Sequence, residues 1–228
     1  MSISIKYPLW ILLIGVWSCK PVPKPTISSA EAHISPEKAL ACLLAGNERY
    51  MNDHPIHPDQ TLSRIRDLKK GQHPFAVVVS CSDSRVPPEL IFDQGLGDIF
   101  VIRTAGNIIG EYELGSIEYA VEHLKAHLIV VLGHDSCGAV SAFVEHKHDK
   151  LDSHIQAIID YIKAEPEEVE INEQRPNYLD LAVRANIRHG VNILVSSEPT
   201  LRGLFEKAEI SIVGAIYHLE NGKVEIIQ

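Results

Sequence analysis

The chain has no run of basic residues, no C-x-x-C pair and no apolar stretch long enough to span a bilayer. Each absence removes a class of function. With a formal net charge of -9 and no clustered lysine or arginine, nothing can track a phosphate backbone, so nucleic acid is excluded as a partner and a small or neutral ligand is favoured. Without C-x-x-C there is no vicinal thiol redox pair. The eleven apolar residues 7–17 fall well short of the about 20 that a membrane-spanning helix requires. What is present is ordinary for a globular chain. At 228 residues, 45% hydrophobic and 22% charged, it is long enough for one substantial core, and one domain is expected.

Residues 1–19 do not belong to that core. Lys6 forms a short basic region, residues 7–17 carry no charge, and the pair reads as a secretory signal. Its end, Val16-Trp17-Ser18-Cys19, resembles a bacterial lipoprotein signal in which a small residue precedes a lipidated cysteine, although Trp17 is bulkier than that pattern favours. The expectation is export to the periplasm with Cys19 as lipid anchor to a bacterial membrane. Ordinary cleavage, an uncleaved anchor and a cytoplasmic location are the alternatives. Residues 20–34, opening KPVPKP, read as an extended tether, and residues 35–228 as a single folded domain. Cysteine is scarce, four in all, and with Cys19 set aside the odd number Cys42, Cys81 and Cys137 does not suggest a disulfide framework. Cys42 lies in a helical pattern and reads as a core thiol.

The helix signals are local. Ser35-Pro36 is a start, and Leu40, Leu43, Leu44, Asn47 and Met51 follow at helical spacing over residues 35–51. A second helix is expected over 61–70, stopped by Gly71, and others over 116–125, 138–146, 151–164, 177–196 and 199–208. Uninterrupted apolar runs at 75–80, 99–102 and 127–132 read as strands covered on both faces, and residues 210–219 and 223–227 flank an Asn221-Gly222 turn. The order is α/β: a mainly parallel sheet flanked by helices on both faces, with an N-terminal helical arm and a C-terminal strand pair.

Polar motifs follow three of these strands: CSDSR at 81–85, RTAGN at 103–107 and GHDSCGA at 133–139. Ligands of open parallel sheets gather outside the carboxyl ends of the strands, so the three motifs meet at one edge. His134 and Cys137 reach one ion from a single turn, Cys81 supplies a third ligand, and three protein ligands leave one corner of a zinc tetrahedron open. Taken singly, each cysteine reads as a small core residue and His134 as a satisfied core histidine. The group reads otherwise because Asp83 and Arg85 sit beside it, and charges are seldom drawn into a sheet edge unless paired.

Together these motifs, at this spacing, resemble the beta class of carbonic anhydrases over residues 35–228. The resemblance implies zinc held by Cys81, His134 and Cys137, and reversible hydration of carbon dioxide to bicarbonate and a proton, through zinc-bound hydroxide oriented by the catalytic pair Asp83 and Arg85. An ionised Asp83 is an obligate acceptor for that hydroxide. Some family members use the aspartate as a fourth ligand at low pH and tend to carry Trp three residues before the first cysteine. Val78 stands there, so the open site is expected at neutral pH. Gln72, Phe100, Tyr119 and the backbone amide of Gly138 match the family's substrate pocket, which lies at a dimer interface; without the resemblance, Phe100 and Tyr119 read as core aromatics. A homodimer follows, with a tetramer as the alternative, and the helix of residues 35–51 resembles the arm that crosses onto a partner. His146, His148 and His154 lie in a polar segment and receive no role. The other readings are hydrolysis of carbon disulfide or carbonyl sulfide on the same fold, and a non-enzymatic zinc or bicarbonate-binding module. The presence of both Asp83 and Arg85 disfavours the module.

Overall fold

Ser35 starts the first helix because its hydroxyl accepts the Lys38 N–H at 3.4 Å, while Pro36 takes the first helical position, where no N–H is needed. The computed structural model describes residues 34–169 and 171–227, so the expected signal, Cys19 and nearly all of the tether lie outside the described residues. Among the described residues, no helix is long and apolar enough to cross a membrane.

Helix α1 (Pro36–Met51) is followed by α2 (Leu62–Leu68), β1 (Ala76–Cys81), α3 (Pro88–Ile91), β2 (Ile99–Thr104), α4 (Glu111–Glu122), β3 (Leu128–His134), α5 (Gly138–His146), α6 (Ile155–Lys163), α7 (Pro166–Val169), α8 (Tyr178–Ser196), α9 (Thr200–Glu206), β4 (Ser211–Tyr217) and β5 (Val224–Ile227). The strands form one sheet in the order β2-β1-β3-β4-β5, parallel except for β5, which returns antiparallel after the Asn221-Gly222 turn. All five expected strands are present. Strand β1 alternates its side chains between two cores: Val77, Val79 and Cys81 face a cluster that includes residues of α4, α5, α6 and α8, and Ala76 and Val78 face one built with α1 and α3. This is the three-layer arrangement expected of strands that are apolar on both faces.

Helix α1, likened to an arm that crosses onto a partner, packs on its own sheet. Ala39 and Leu43 are fully buried there, and a Cβ on Gly46 would sit 1.7 Å from the Phe92 carbonyl oxygen, so only glycine allows α1 this close to the end of α3. Asn47, which counted in the sequence as part of the helical stripe, is a buried polar bridge. Its Nδ2 donates to the carbonyls of Ile91 at 3.2 Å and Gly222 at 2.8 Å, and its Oδ1 accepts the Val224 N–H at 2.9 Å.

The remaining differences are at element ends and in two short helices. Helix α4 begins at Glu111, ahead of the expected 116, because the Glu113 carboxylate reaches back to the Gly110 N–H at 2.9 Å and caps the extra turn. Helices α3 and α7, four residues each, are too short to show a periodicity in sequence. Replacing Asn47 by alanine orphans three backbone groups, two of them in buried bonds, and is expected to lower unfolding free energy by about 2–4 kcal/mol, read from denaturant unfolding; a loss under half of that would show water or relaxation replacing the bridge.

Candidate metal centre

The chain reverses its strand order between β1 and β3, since β1 lies between β2 and β3, and the carboxyl ends of β1 and β3 border the resulting crevice. This is the place where an open parallel sheet binds ligands. Cys81 is the last residue of β1, His134 the last of β3, and Cys137 caps the amino end of α5 three residues further on. The ligand atoms of these three buried residues lie within 4.8 Å of one another, and the two sulfurs are 4.0 Å apart. An ion about 2.3 Å from each sulfur at the tetrahedral angle would separate them by about 3.8 Å. His134 Nδ1 is 2.8 Å from the Asp135 carbonyl and donates to it, which turns Nε2 toward the sulfurs; Nε2 is buried and has no hydrogen-bond partner. A buried, unpartnered imine nitrogen aimed at two thiols is the donor set of a zinc site, and the residues fit the ion.

Their electrostatics point the same way. Hydrogen bonding from Cys137 holds the Cys81 thiol well below its usual value against the effect of burial, and Cys137, facing a thiolate, is pushed far up. Burial alone would lower His134, but the adjoining Cys81 thiolate outweighs it and shifts the ring upward. The thiolate also accepts the Gly106 N–H at 3.3 Å. Gly106 holds a left-handed conformation at φ +72°, a Cβ there would lie 3.0 Å from the Ala139 Cβ, and its carbonyl is fixed by the buried Asn186 amide at 2.7 Å.

Asp83 lies beside this cluster, its Oδ2 3.8 Å from His134 Nε2. Arg85 grips it as a fork, Nε to Oδ1 at 2.9 Å and a terminal nitrogen to Oδ2 at 2.7 Å, with the Arg85 N–H also on Oδ1 at 2.9 Å. The Arg85 guanidinium holds the Asp83 carboxyl well below the ordinary carboxylate range. Arg103, visible in sequence only as the head of RTAGN, holds the loop from behind: it donates to the carbonyls of Cys81 at 3.0 Å and Asp83 at 2.6 Å. The register that pairs Ser80 with Arg103 across β1 and β2 makes that reach possible.

Residues 76–224 match the protein family described as "Carbonic anhydrase". Relatives of like length include "Carbonic anhydrase 2" of Mycobacterium tuberculosis, 38% identical over 191 residues, covering 83% of this chain and 91% of that one. Another is the "Carbonic anhydrase" of Mycolicibacterium smegmatis, 40% identical over 195 residues, covering 84% and 93%. The chain belongs to the carbonic anhydrase family. Its fold is that of the beta class: the beta-carbonic anhydrase CcaA superposes with a TM-score of 0.62 at 28% identity, covering 84% of this chain and 94% of that one.

Within one chain, the residues matched to this family's pocket do not all meet. Gly138 opens α5 beside Cys137. Phe100 and Tyr119 are close to each other, ring centroids 6.5 Å apart, but Phe100 pairs in register with Val77, near the amino end of β1. Gln72 is exposed and precedes β1, at the sheet edge opposite to the cysteines. A cleft of about 450 Å³, lined in part by Glu122, Lys125, His127 and Lys207, also belongs to that opposite edge and shares no residue with the metal cluster. Elemental analysis of purified protein is expected to find about one zinc per chain, and Cys137→Ser to remove most of it; a metal-free wild type from zinc-rich medium would refute the ligand set.

Proposed function

We propose that Asp83 and Arg85, beside zinc held by Cys81, His134 and Cys137, carry the carbon dioxide hydration of this beta-class carbonic anhydrase. The observation that carries the assignment is the forked Arg85 pair on Asp83, adjoining the buried Cys-His-Cys cluster. When bound, zinc supplies Lewis acidity, which brings the pKa of a water from about 15.7 toward 7.

The chain's own groups do the rest. Asp83, kept ionised by Arg85, can only accept hydrogen bonds, so it orients a nucleophile that has a hydrogen to give and rejects occupants that have none. Its depressed titration also places it too low to be the group that governs the pH profile near neutrality. Arg85 keeps both Asp83 oxygens engaged, which supports the open reading in which Asp83 stays off the metal. The Gly138 amide, at the amino end of a nine-residue helix, suits the negative charge of bicarbonate.

A second copy completes the pocket in this reading. Strand β2 ends the sheet with a half-exposed face, and the neighbouring helix α4 exposes Tyr112 and Tyr119. Pairing of two copies along this edge would cover that surface and carry Gln72, Phe100 and Tyr119 of one copy toward the site of the other. We further infer that residues 1–19 direct export and that Cys19 anchors the enzyme, placing the reaction outside the cytoplasm.

Asp83→Asn keeps the shape of the side chain and removes the obligate acceptor. It is expected to lower kcat/KM for carbon dioxide by at least about 100-fold in stopped-flow assays while retaining zinc; full activity would overturn the role given to Asp83. Growth with radioactive fatty acid should label the full-length protein and not Cys19→Ser, and an unlabelled wild type would sink the anchor.

A further inference from the structure

A divalent ion held by two thiolates receives two negative charges from its ligands, which blunts the Lewis acidity that the hydration site needs. A hydrogen bond from the surrounding chain to a ligating sulfur draws part of that charge back. Cys81 has such a donor in the Gly106 N–H at 3.3 Å. The amide stays there only if the turn that carries it is held.

That turn, Ala105–Asn107, follows β2 and is fixed from three sides. Thr104 closes it, Oγ1 donating to the Ile108 carbonyl at 2.8 Å. Helix α5 stands against it, since a Cβ on Gly106 would lie 3.0 Å from the Cβ of Ala139, two residues past Cys137. Gly106 itself sits at φ +72°, which glycine adopts without strain but does not hold by itself. On the third side, the Gly106 carbonyl accepts the Asn186 Nδ2–H at 2.7 Å.

Helix α8 turns Ala182, Val183, Ile187 and Leu194 into the core, and Asn186 shares that buried face at 3% exposure. A carboxamide placed there gives up its water and needs a protein partner in exchange. Gly106 is that partner. The next residue, Ile187, fills the space beside Gly133, where an added Cβ would come within 2.6 Å of its side chain, and Gly133 directly precedes His134. Two adjacent residues of one helix thus back the turn that serves Cys81 and the strand end that carries His134.

We propose that Asn186 is a positioning residue of the metal centre: by holding Gly106 it keeps one N–H donating to the Cys81 sulfur, so that part of the thiolate's charge is shared with the backbone and not given to the ion. The inference rests on the reading of Cys81, His134 and Cys137 as the zinc ligands. It assigns a function to a side chain that touches neither metal nor substrate.

The test compares metal-loaded wild type with two variants. In cobalt-loaded Asn186→Leu, which keeps the volume and removes the donor, the sulfur-to-metal absorption band is expected at longer wavelength than in wild type, because a thiolate without its hydrogen bond yields charge more readily. Zinc content should stay near about one per chain, while kcat/KM for carbon dioxide falls about tenfold. Gly106→Ala, strained at φ +72° and crowded against Ala139, should move the band in the same direction. In wild type loaded with an NMR-active cadmium isotope, the Gly106 amide proton should show scalar coupling to the metal across the Cys81 sulfur. Absence of that coupling, or a band unchanged in both variants, overturns the inference. So does loss of metal from Asn186→Leu with an unchanged band in the fraction still loaded, which would leave Asn186 a packing residue only. Wild type that takes up neither zinc nor cobalt would overturn the ligand set and the inference with it, and is recognised before any variant is made.

Discussion

Two sulfurs 4.0 Å apart and a ring nitrogen without a partner, all buried, make a demand that protein groups alone do not meet. The Cys137 thiol donates to the Cys81 thiolate, and burial and charge repulsion also oppose a second thiolate there, which is why Cys137 is held in its protonated form. A divalent cation reverses the sign of that interaction. The surrounding chain is arranged so that each remaining charge is answered separately: Arg85 takes the Asp83 carboxylate, and Arg103 spends its donors on the carbonyls of Cys81 and Asp83. The loop is thereby held without drawing on the sulfurs, which face each other and, for Cys81, the amide of Gly106.

That division of labour also separates residues that look alike in sequence. Asp83 and Asp135 both follow a sheet ligand by one or two positions, yet Asp83 is locked by a guanidinium and Asp135 by a backbone amide and His218. One is fixed as an acceptor beside the metal cluster. The other shapes the edge where the crevice meets solvent.

Much of this was legible along the chain because the signals were local. Apolar runs marked three strands and the Asn221-Gly222 turn two more, Ser35-Pro36 marked a helix start, and the position of CSDSR and GHDSCGA after strands placed them at the carboxyl edge. Register was not legible. Arg103 matters because it stands opposite Ser80, and Asn186 because α8 carries it to Gly106; neither pairing can be read until strand order and packing are known. The same blindness applies to Gln72 and Phe100, whose residue types suit a pocket but whose place at the amino edge of the sheet emerges only from the fold. Asn47 misled in the opposite sense. At helical spacing it looked like one more inward position, whereas its amide is needed because α1 ends against the β4–β5 turn with backbone groups to satisfy.

The topology has a kinetic corollary. Cys81 and Cys137 are separated by 56 positions, and the strands that carry Cys81 and His134 become neighbours only after β2 and α4 have been threaded between them and placed elsewhere. Such parallel crossovers close large loops before any contact rewards them, so the coordination sphere is assembled late on the folding path. An ion captured there can deepen the native basin and slow its escape, but it arrives too late to seed it, unlike the small metal-nucleated domains whose chains stay unfolded until the ion binds.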